Sequence, residues 1–448
     1  AASGFPEGLG VIGTNVDRGL PASKTADCND PAAFDQVGKV SLGDLEISDD
    51  GKFLFVMNLY DRKLYRLELN SATNPTGVIA VTSIALPAIA VTNGEIRPFA
   101  VSYHRGKLFV GAVASGENGG TVVHNGATDL YAYVWEMTDP NGAATFNATP
   151  ILSIPLNYQK GYPIQGLNSV AQRLWHPWSK NTANTFGGGE FTWVSPMLSN
   201  IEFSDRGDMI LDFFDRGGHQ YGYNNYKNLT GAVAAQYDVS GDVLIAGKDC
   251  STGGFTIENN GSYNSDGNII SSAGAGNNNG PTTGEFFYQE IPPDNYHNET
   301  SMGSLAILPG ARKGIFALMD ATSAFSGGTG HFSTETGVAT NRVLHYDGAD
   351  GTMSKANGLG DLELAGDEPD IEIGNRVFKD LNKNGIQDAH EPGIAGMQLA
   401  LCEVGNAIPV ATAVSDADGL YKFSTATGTN TTSNIYNLTL VYGGNHEV

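Results

Sequence analysis

The sequence predicts an all-β protein: a β-propeller of about six blades followed by a smaller strand-built domain. Three observations predict it. Apolar residues alternate with polar ones in short runs, which is the period of a strand and not of a helix. A strand–turn–strand unit recurs through the first three quarters of the chain. The composition, with 58 Gly and only 16% charged residues, suits strands joined by turns. At 448 residues the chain exceeds one ordinary core, which suggests two or three domains.

The first unit is the clearest. Residues 41–69 read as strand, Asp50-Gly51 hairpin turn, strand, short turn, strand. Degraded copies follow at Phe99–Gly111 leading to Leu130–Trp135, at Leu198–Asp212, and at Gly303–Leu318 leading to Arg342–Tyr346. The interval from Gly51 to Gly106 is about one blade, and that from Gly106 to Gly207 about two. A further blade is therefore expected near Ile151–Trp193, and another from Val233–Ala246 with a strand at Phe286–Ile291. Stretches 114–127, 252–282 and 323–340, rich in Gly, Ser and Asn, read as long loops. The propeller is expected over residues 1–360, with an acidic linker at 361–372 stiffened by Pro369 and a second domain over 373–448.

In the second domain Ile371, Ile373 and Val377, then Met397, Leu399 and Leu401, mark strands on either side of a twelve-residue segment. That segment places Asp380, Asn382, Asn384, Asp388 and Glu391 at positions 1, 3, 5, 9 and 12 of a calcium loop, with Gly385 at position 6 and the carbonyl of Ile386 at position 7. Calcium takes six to eight oxygens at flexible geometry, and alternate short oxygen side chains closed by a carboxylate supply them. An all-oxygen set disfavours soft metals. The bland alternative is a solvated turn of Asn, Asp and Gly. An EF-hand would flank such a loop with helices; here the periodicity on both sides is that of strands.

The run Ile373–Gly396, followed by Ser415-Asp-Ala-Asp-Gly-Leu-Tyr-Lys-Phe423, resembles the SdrD B-like (Cna B-type) domain of bacterial surface proteins over residues 370–448. The resemblance implies an immunoglobulin-like β-sandwich in a stalk or adhesin, rigidified by Ca²⁺, with Asp416 and Asp418 as added ligands. The polar run Ser424–Asn434 departs from the family's usual turn, and the stop at Val448 suggests a piece of something longer. A sandwich of about 80 residues has a marginal core and needs a staple. Cys402 is its only cysteine, so calcium is the remaining candidate. Upstream, Glu46–Lys52 is similar to YVTN-type propeller repeats. Asn200–Phe203 through Asp215–Gln220, with Lys355–Glu363, resemble the propeller that precedes SdrD B-like domains in large bacterial surface proteins.

A formal charge of −23 argues against nucleic acid as a partner. Together with the lack of any long apolar run, it suits a secreted protein at the cell surface. The start at Ala1-Ala-Ser would fit a terminus left after signal cleavage. Cys28 and Cys250 could pair, leaving Cys402 free, or all three could be buried thiols.

Three constellations in the propeller invite chemistry. Aligning the repeats sets Glu46 opposite Glu202, a carboxylate pair that could bind a metal or simply face channel water. Asp205, Asp208, Asp212, Asp215 and His219 form the densest cluster of acids and imidazole, readable as an acid–base centre, a second calcium site or loop bracing. Trp175, His176, Trp178 and Trp193 could stack on sugars or anchor a partner, or form core between blades. The leading expectation is a non-enzymatic surface, adhesion or assembly protein whose partners are other surface proteins, glycans or itself. A glycan- or protein-binding module comes next, and a propeller hydrolase or lyase centred on Asp212, Asp215 and His219 last.

Overall fold

The structure, a computed structural model, describes residues 8–22, 30–118, 129–167, 169–180, 186–187, 190–222, 225–226, 234–249, 251–290, 296–347, 360–364, 373–388, 390–403, 409–423 and 436–441. It is nearly all β, and the chain divides into two compact units, Ala1–Ala365 and Gly366–Val448.

Among its described residues the first unit contains four antiparallel meanders. Leu42–Ile47, Phe53–Asn58, Lys63–Leu69 and Val78–Ala85 form the first, paired in chain order. Ile96–His104, Lys107–Ala114 and Tyr131–Thr138 form the second, and both Thr145–Phe146 and Leu152–Pro155 pair with its third strand. Pro196–Phe203, Met209–Asp215, Asp242–Asp249 and Gly254–Ile257 form the third. Ser301–Leu308, Lys313–Met319, Ser326–Ser333 and Ala339–Asp347 form the fourth. The opening strands pack in succession, first meander on second, second on third and third on fourth. Between the second, third and fourth lies the main core, which includes Phe109, Leu198, Ile201, Leu211 and Met319. The repeated hairpin is where the Asp-Gly signal put it. Gly51 sits at φ +68°, and a Cβ there would meet the carbonyl oxygen of Ala72 at 2.6 Å.

Several sequence expectations are corrected. The described residues hold four such meanders, together with a four-stranded mixed sheet and a two-stranded hairpin. Leu152–Pro155 is an edge of the second meander. Phe186–Gly187 and Glu190–Thr192 belong to a separate mixed sheet with Asn225–Tyr226 and Ala234–Tyr237, one of whose pairings is parallel. Phe286–Glu290 is no strand; its aromatics are sequestered edge-to-face among Tyr263, Phe316 and Phe332, so the apolar run reflects core packing without a ladder. Stretch 252–282 holds the strand Gly254–Ile257 and the hairpin Ser262–Ser265 with Asn268–Ser271. Within 323–340 lies the buried strand Ser326–Ser333. A Cβ at Gly327 would strike the Tyr346 ring at 2.1 Å and one at Gly328 the Val343 carbonyl at 1.9 Å, so these glycines serve close strand approach and not a loop. Asp361 and Leu362, read as linker, lie on the first unit: Asp361 accepts from Asn200 and Ser304, and Leu362 packs on the core.

In the second unit Ile373–Arg376 pairs with Leu420–Phe423, and Gln398–Glu403 pairs with both Pro409–Val414 and Tyr436–Val441. The two sheets share a core of Leu399, Leu401 and Phe423, flanked by Ile373, Val377, Ala411, Ala413 and Tyr421. Among the described residues these three buried apolar side chains form the cluster. Cys402 is a free, half-buried thiol, while Cys28 and Cys250 lie outside the described residues.

Candidate metal centre

The loop at 380–391 is carried by extended chain. Val377 N–H donates to Gly419 O at 2.8 Å, Phe378 bridges Gly393, and Lys379 N–H donates to Pro392 O at 2.9 Å. Gly385 takes φ +75°, the sharp turn that position 6 of a calcium loop needs. The predicted ligand side chains converge. Asp380 accepts from the N–H groups of Asn384 at 3.2 Å and Gly385 at 2.8 Å, and these bonds, that of Gly385 foremost, hold its carboxyl below the usual range. Asn382 and Asn384 both donate their amides to Asp388 Oδ2, at 2.6 and 2.9 Å. Glu391 is buried and accepts from Leu381 N–H at 2.8 Å and Asp388 N–H at 3.0 Å, so it gathers both limbs of the loop. Ile386 donates its N–H to Asn384 Oδ1 at 2.7 Å.

This donor set fits a hard cation: three carboxylates, two amides and a backbone carbonyl, with neither sulfur nor imidazole among the predicted ligands. Asp416 and Asp418 are placed differently. Asp416 Oδ1 accepts from Asp418 and Leu420 N–H, both at 2.9 Å, and so closes its own turn. That turn abuts the loop's exit, since a Cβ on Gly393 would meet Asp418 O at 1.9 Å. Both aspartates are exposed.

The first unit disperses the proposed catalytic cluster. Asp215 is buried and caps the short helix Arg216–Tyr221, accepting from Ser195 N–H and Gly217 N–H at 2.9 Å and from Tyr237 Oη at 2.7 Å. Burial lifts its carboxyl to about 6. His219 is exposed and lies against the Phe214 ring at 4.4 Å. Asp212 is buried and accepts from Ser301 Oγ at 2.6 Å. Among the described residues no hydrogen bond joins His219 to either aspartate, so the acid–base pairing is not formed. Trp175, Trp178 and Trp193 are likewise core. They are buried, with indole N–H groups donating to Tyr158 Oη and to the carbonyls of Pro196 and Pro177. None offers a ring face to a sugar at the surface.

The Glu46–Glu202 alignment leads to a larger group. Burial raises the carboxyls of Asp44 and Glu202, and that of Glu46 to about 7. Asp361 and Glu363 add repulsion to all or part of the set. Asp44 and Glu46 also accept from Val101 and Tyr103 N–H, fastening the first meander to the second. The alignment missed Asp361 and Glu363 because they come from the segment read as linker.

These raised values fix the sign of a pH effect. A folded-state pKa above the unfolded 4.5 means that the folded protein keeps a proton the unfolded chain has lost, so stability is greatest below 4.5 and falls as pH rises to about 7. The expected slope is at most about 1.4 kcal/mol per pH unit for each such group. Urea midpoints followed by tryptophan fluorescence in chelator are expected to be lower at about pH 8 than at about pH 5. Glu46→Gln should flatten the trend, and a midpoint rising over that window would contradict it. Glu117, held down near 2 mainly by Lys39 and Arg97 against its burial, acts only below the window.

Residues 371–442 match the SdrD B-like domain family. The chain is 29% identical over 408 residues to Colossin-B of Dictyostelium discoideum, covering 87% of this chain and 10% of that protein. A region of 106 residues is 35% identical to serine-aspartate repeat-containing protein E of Staphylococcus aureus (strain MSSA476), covering 23% of this chain and 9% of that one. The chain thus spans about a tenth of the length of each of these relatives. A relative in Dictyostelium means that the bacterial source implied by the resemblance is not supported. Among solved structures, a functionally unknown protein from Desulfotomaculum acetoxidans DSM 771 is 12% identical over 71% of this chain and 87% of that chain, with a TM-score of 0.20, too low to carry an argument.

Proposed function

We propose that this chain serves a non-enzymatic structural or adhesive role at a cell surface, with a toroidal β head and a calcium-stiffened sandwich. The observation that carries the reading is the convergence of Asp380, Asn382, Asn384, Asp388 and Glu391 within a segment matching the SdrD B-like family. Calcium there would supply charge neutralisation and cross-linking: with Asp380, Asp388 and Glu391 ionised, the site would keep about one net negative charge. The amides of Asn382 and Asn384 need only turn over to present oxygen in place of nitrogen. The loop would then tie the chain leaving Ile373–Arg376 to the chain entering at Pro392 and Gly393.

For the head, the successive packing of four opening strands supports a ring of blades, the propeller arrangement. Contact in place of turnover is supported by the structural employment of Asp215 and the separate stacking of His219. An extracellular location accords with the acidity, and among the described residues no helix is long and apolar enough to cross a membrane. Partners are other surface proteins, glycans or further copies of the chain. Antibody labelling of intact cells that make the protein is the test. Surface signal is expected, whereas signal only after permeabilisation would overturn the reading. A saturable hit on a glycan array would move the head to glycan recognition.

A further inference from the structure

The first unit hides a second group of oxygens. Asp242 opens the third strand of the third meander, Glu285 follows the hairpin after it, and Glu299 precedes the fourth meander. All three are buried, and one carboxylate oxygen from each lies within 4.8 Å of the others. One oxygen of each is held by a neutral donor: Asp242 Oδ2 by Tyr158 Oη at 2.5 Å, Glu285 Oε1 by Asn277 Nδ2 at 2.9 Å, and Glu299 Oε1 by Asn279 Nδ2 at 3.1 Å. Such donors orient carboxylates as the outer shell of a metal site does. Two of the remaining oxygens of the trio are unspent. Asp242 Oδ1, Glu299 Oε2 and both oxygens of the neighbouring, buried Glu290 have no hydrogen-bond partner among the described residues.

Charge makes the arrangement costly without a counter-ion. Among the described residues the one buried ammonium nearby, Lys160, donates to Ser240 Oγ at 2.7 Å and lies 5.0 Å from the Trp175 ring centroid. Three carboxylates against this ammonium sum to −2 before Glu290 is counted. Buried charge of that size needs a partner. A single divalent ion balances the sum, and an oxygen-only set drawn from separate chain segments suits the flexible coordination of calcium.

We propose that Asp242, Glu285 and Glu299, with Glu290 beside them, bind a calcium ion inside the first unit, pinning the third meander to the fourth. The site is independent of the loop at 380–391.

Terbium, a luminescent stand-in for calcium, tests this in the full chain. All four tryptophans lie in the first unit, and Trp175 Nε1 is hydrogen-bonded to the same Tyr158 that donates to Asp242. Terbium bound here is therefore expected to emit when tryptophan is excited, and to be displaced by calcium. Emission should persist in Glu391→Gln, whose lesion is in the loop, and fall at least about tenfold in Glu299→Gln or Asp242→Asn. Metal analysis after dialysis should find one calcium per chain retained by Glu391→Gln. Wild-type protein that shows no tryptophan-sensitised emission and no calcium beyond the loop's would overturn the proposal, whatever the variants do, and would mean that the nest is neutralised by protons. Undiminished emission in a folded Glu299→Gln would overturn it equally.

Discussion

Glu391→Gln is expected to abolish the calcium-dependent part of the second unit's stability while leaving its calcium-free melting nearly unchanged. Glu391 is buried and holds both Leu381 N–H and Asp388 N–H, so glutamine, of the same size, keeps an acceptor but loses the charge and the bidentate grip. When free calcium exceeds the dissociation constant by about a hundredfold, binding stabilises the folded state by about 2.7 kcal/mol. For a domain of about 80 residues that is a shift of about 10–20 °C in melting temperature. Scanning calorimetry of the full chain with calcium and with chelator reads it. Tryptophan fluorescence reports the first unit alone, because the second has no tryptophan. Equal calcium-induced shifts in wild type and variant would remove the loop from the account.

Arg216→Ala is expected to destabilise the first unit by about 3–5 kcal/mol. The Arg216 side chain is fully buried and its guanidinium donates to three backbone carbonyls, Val37 at 2.9 Å, Ser179 at 2.9 Å and Asp35 at 3.1 Å. Its charge lies 4.5 Å from the Trp178 ring centroid. One side chain thus staples the N-terminal turn, the segment after Trp178 and the short helix capped by Asp215. Removing it takes a donor from each of these carbonyls, leaving Ser179 O with Gln220 Nε2 at 3.0 Å, and opens a void beside an indole. Burial brings the guanidinium down to about 10, still charged at neutral pH, with Asp35 and Glu117 opposing the shift. Urea unfolding followed by tryptophan fluorescence measures the change, and a loss under about 1 kcal/mol would mean that water replaces the guanidinium.

Local chemistry made parts of this protein legible in its sequence. Where a short segment both writes and uses its signal, as at Asp50-Gly51 or in the spacing from Asp380 to Glu391, the reading and the structure place the same turn or the same converging side chains. Glycine misled where it serves close approach: Gly327 and Gly328 sit in a buried strand because the neighbouring strand leaves no room for a Cβ. Tryptophans misled because sequence alone does not say which side of a ring meets solvent, and Trp175 and Trp178 face the core. The nest of Asp242, Glu285 and Glu299 was out of reach, since long-range packing assembles it. Its one local trace is an acid abutting an apolar run, as in Asp242-Val-Leu-Ile and Glu285-Phe-Phe.

The proposed role of the second unit rests on calcium gripped between two strands by its loop. A crystal grown in saturating calcium, with an anomalous difference map, tests it most directly. The expected result is a peak ringed by oxygens of Asp380, Asn382, Asn384, Asp388 and Glu391 and the carbonyl of Ile386. An ordered loop with no peak, its amides still bonded to Asp388, would contradict the claim.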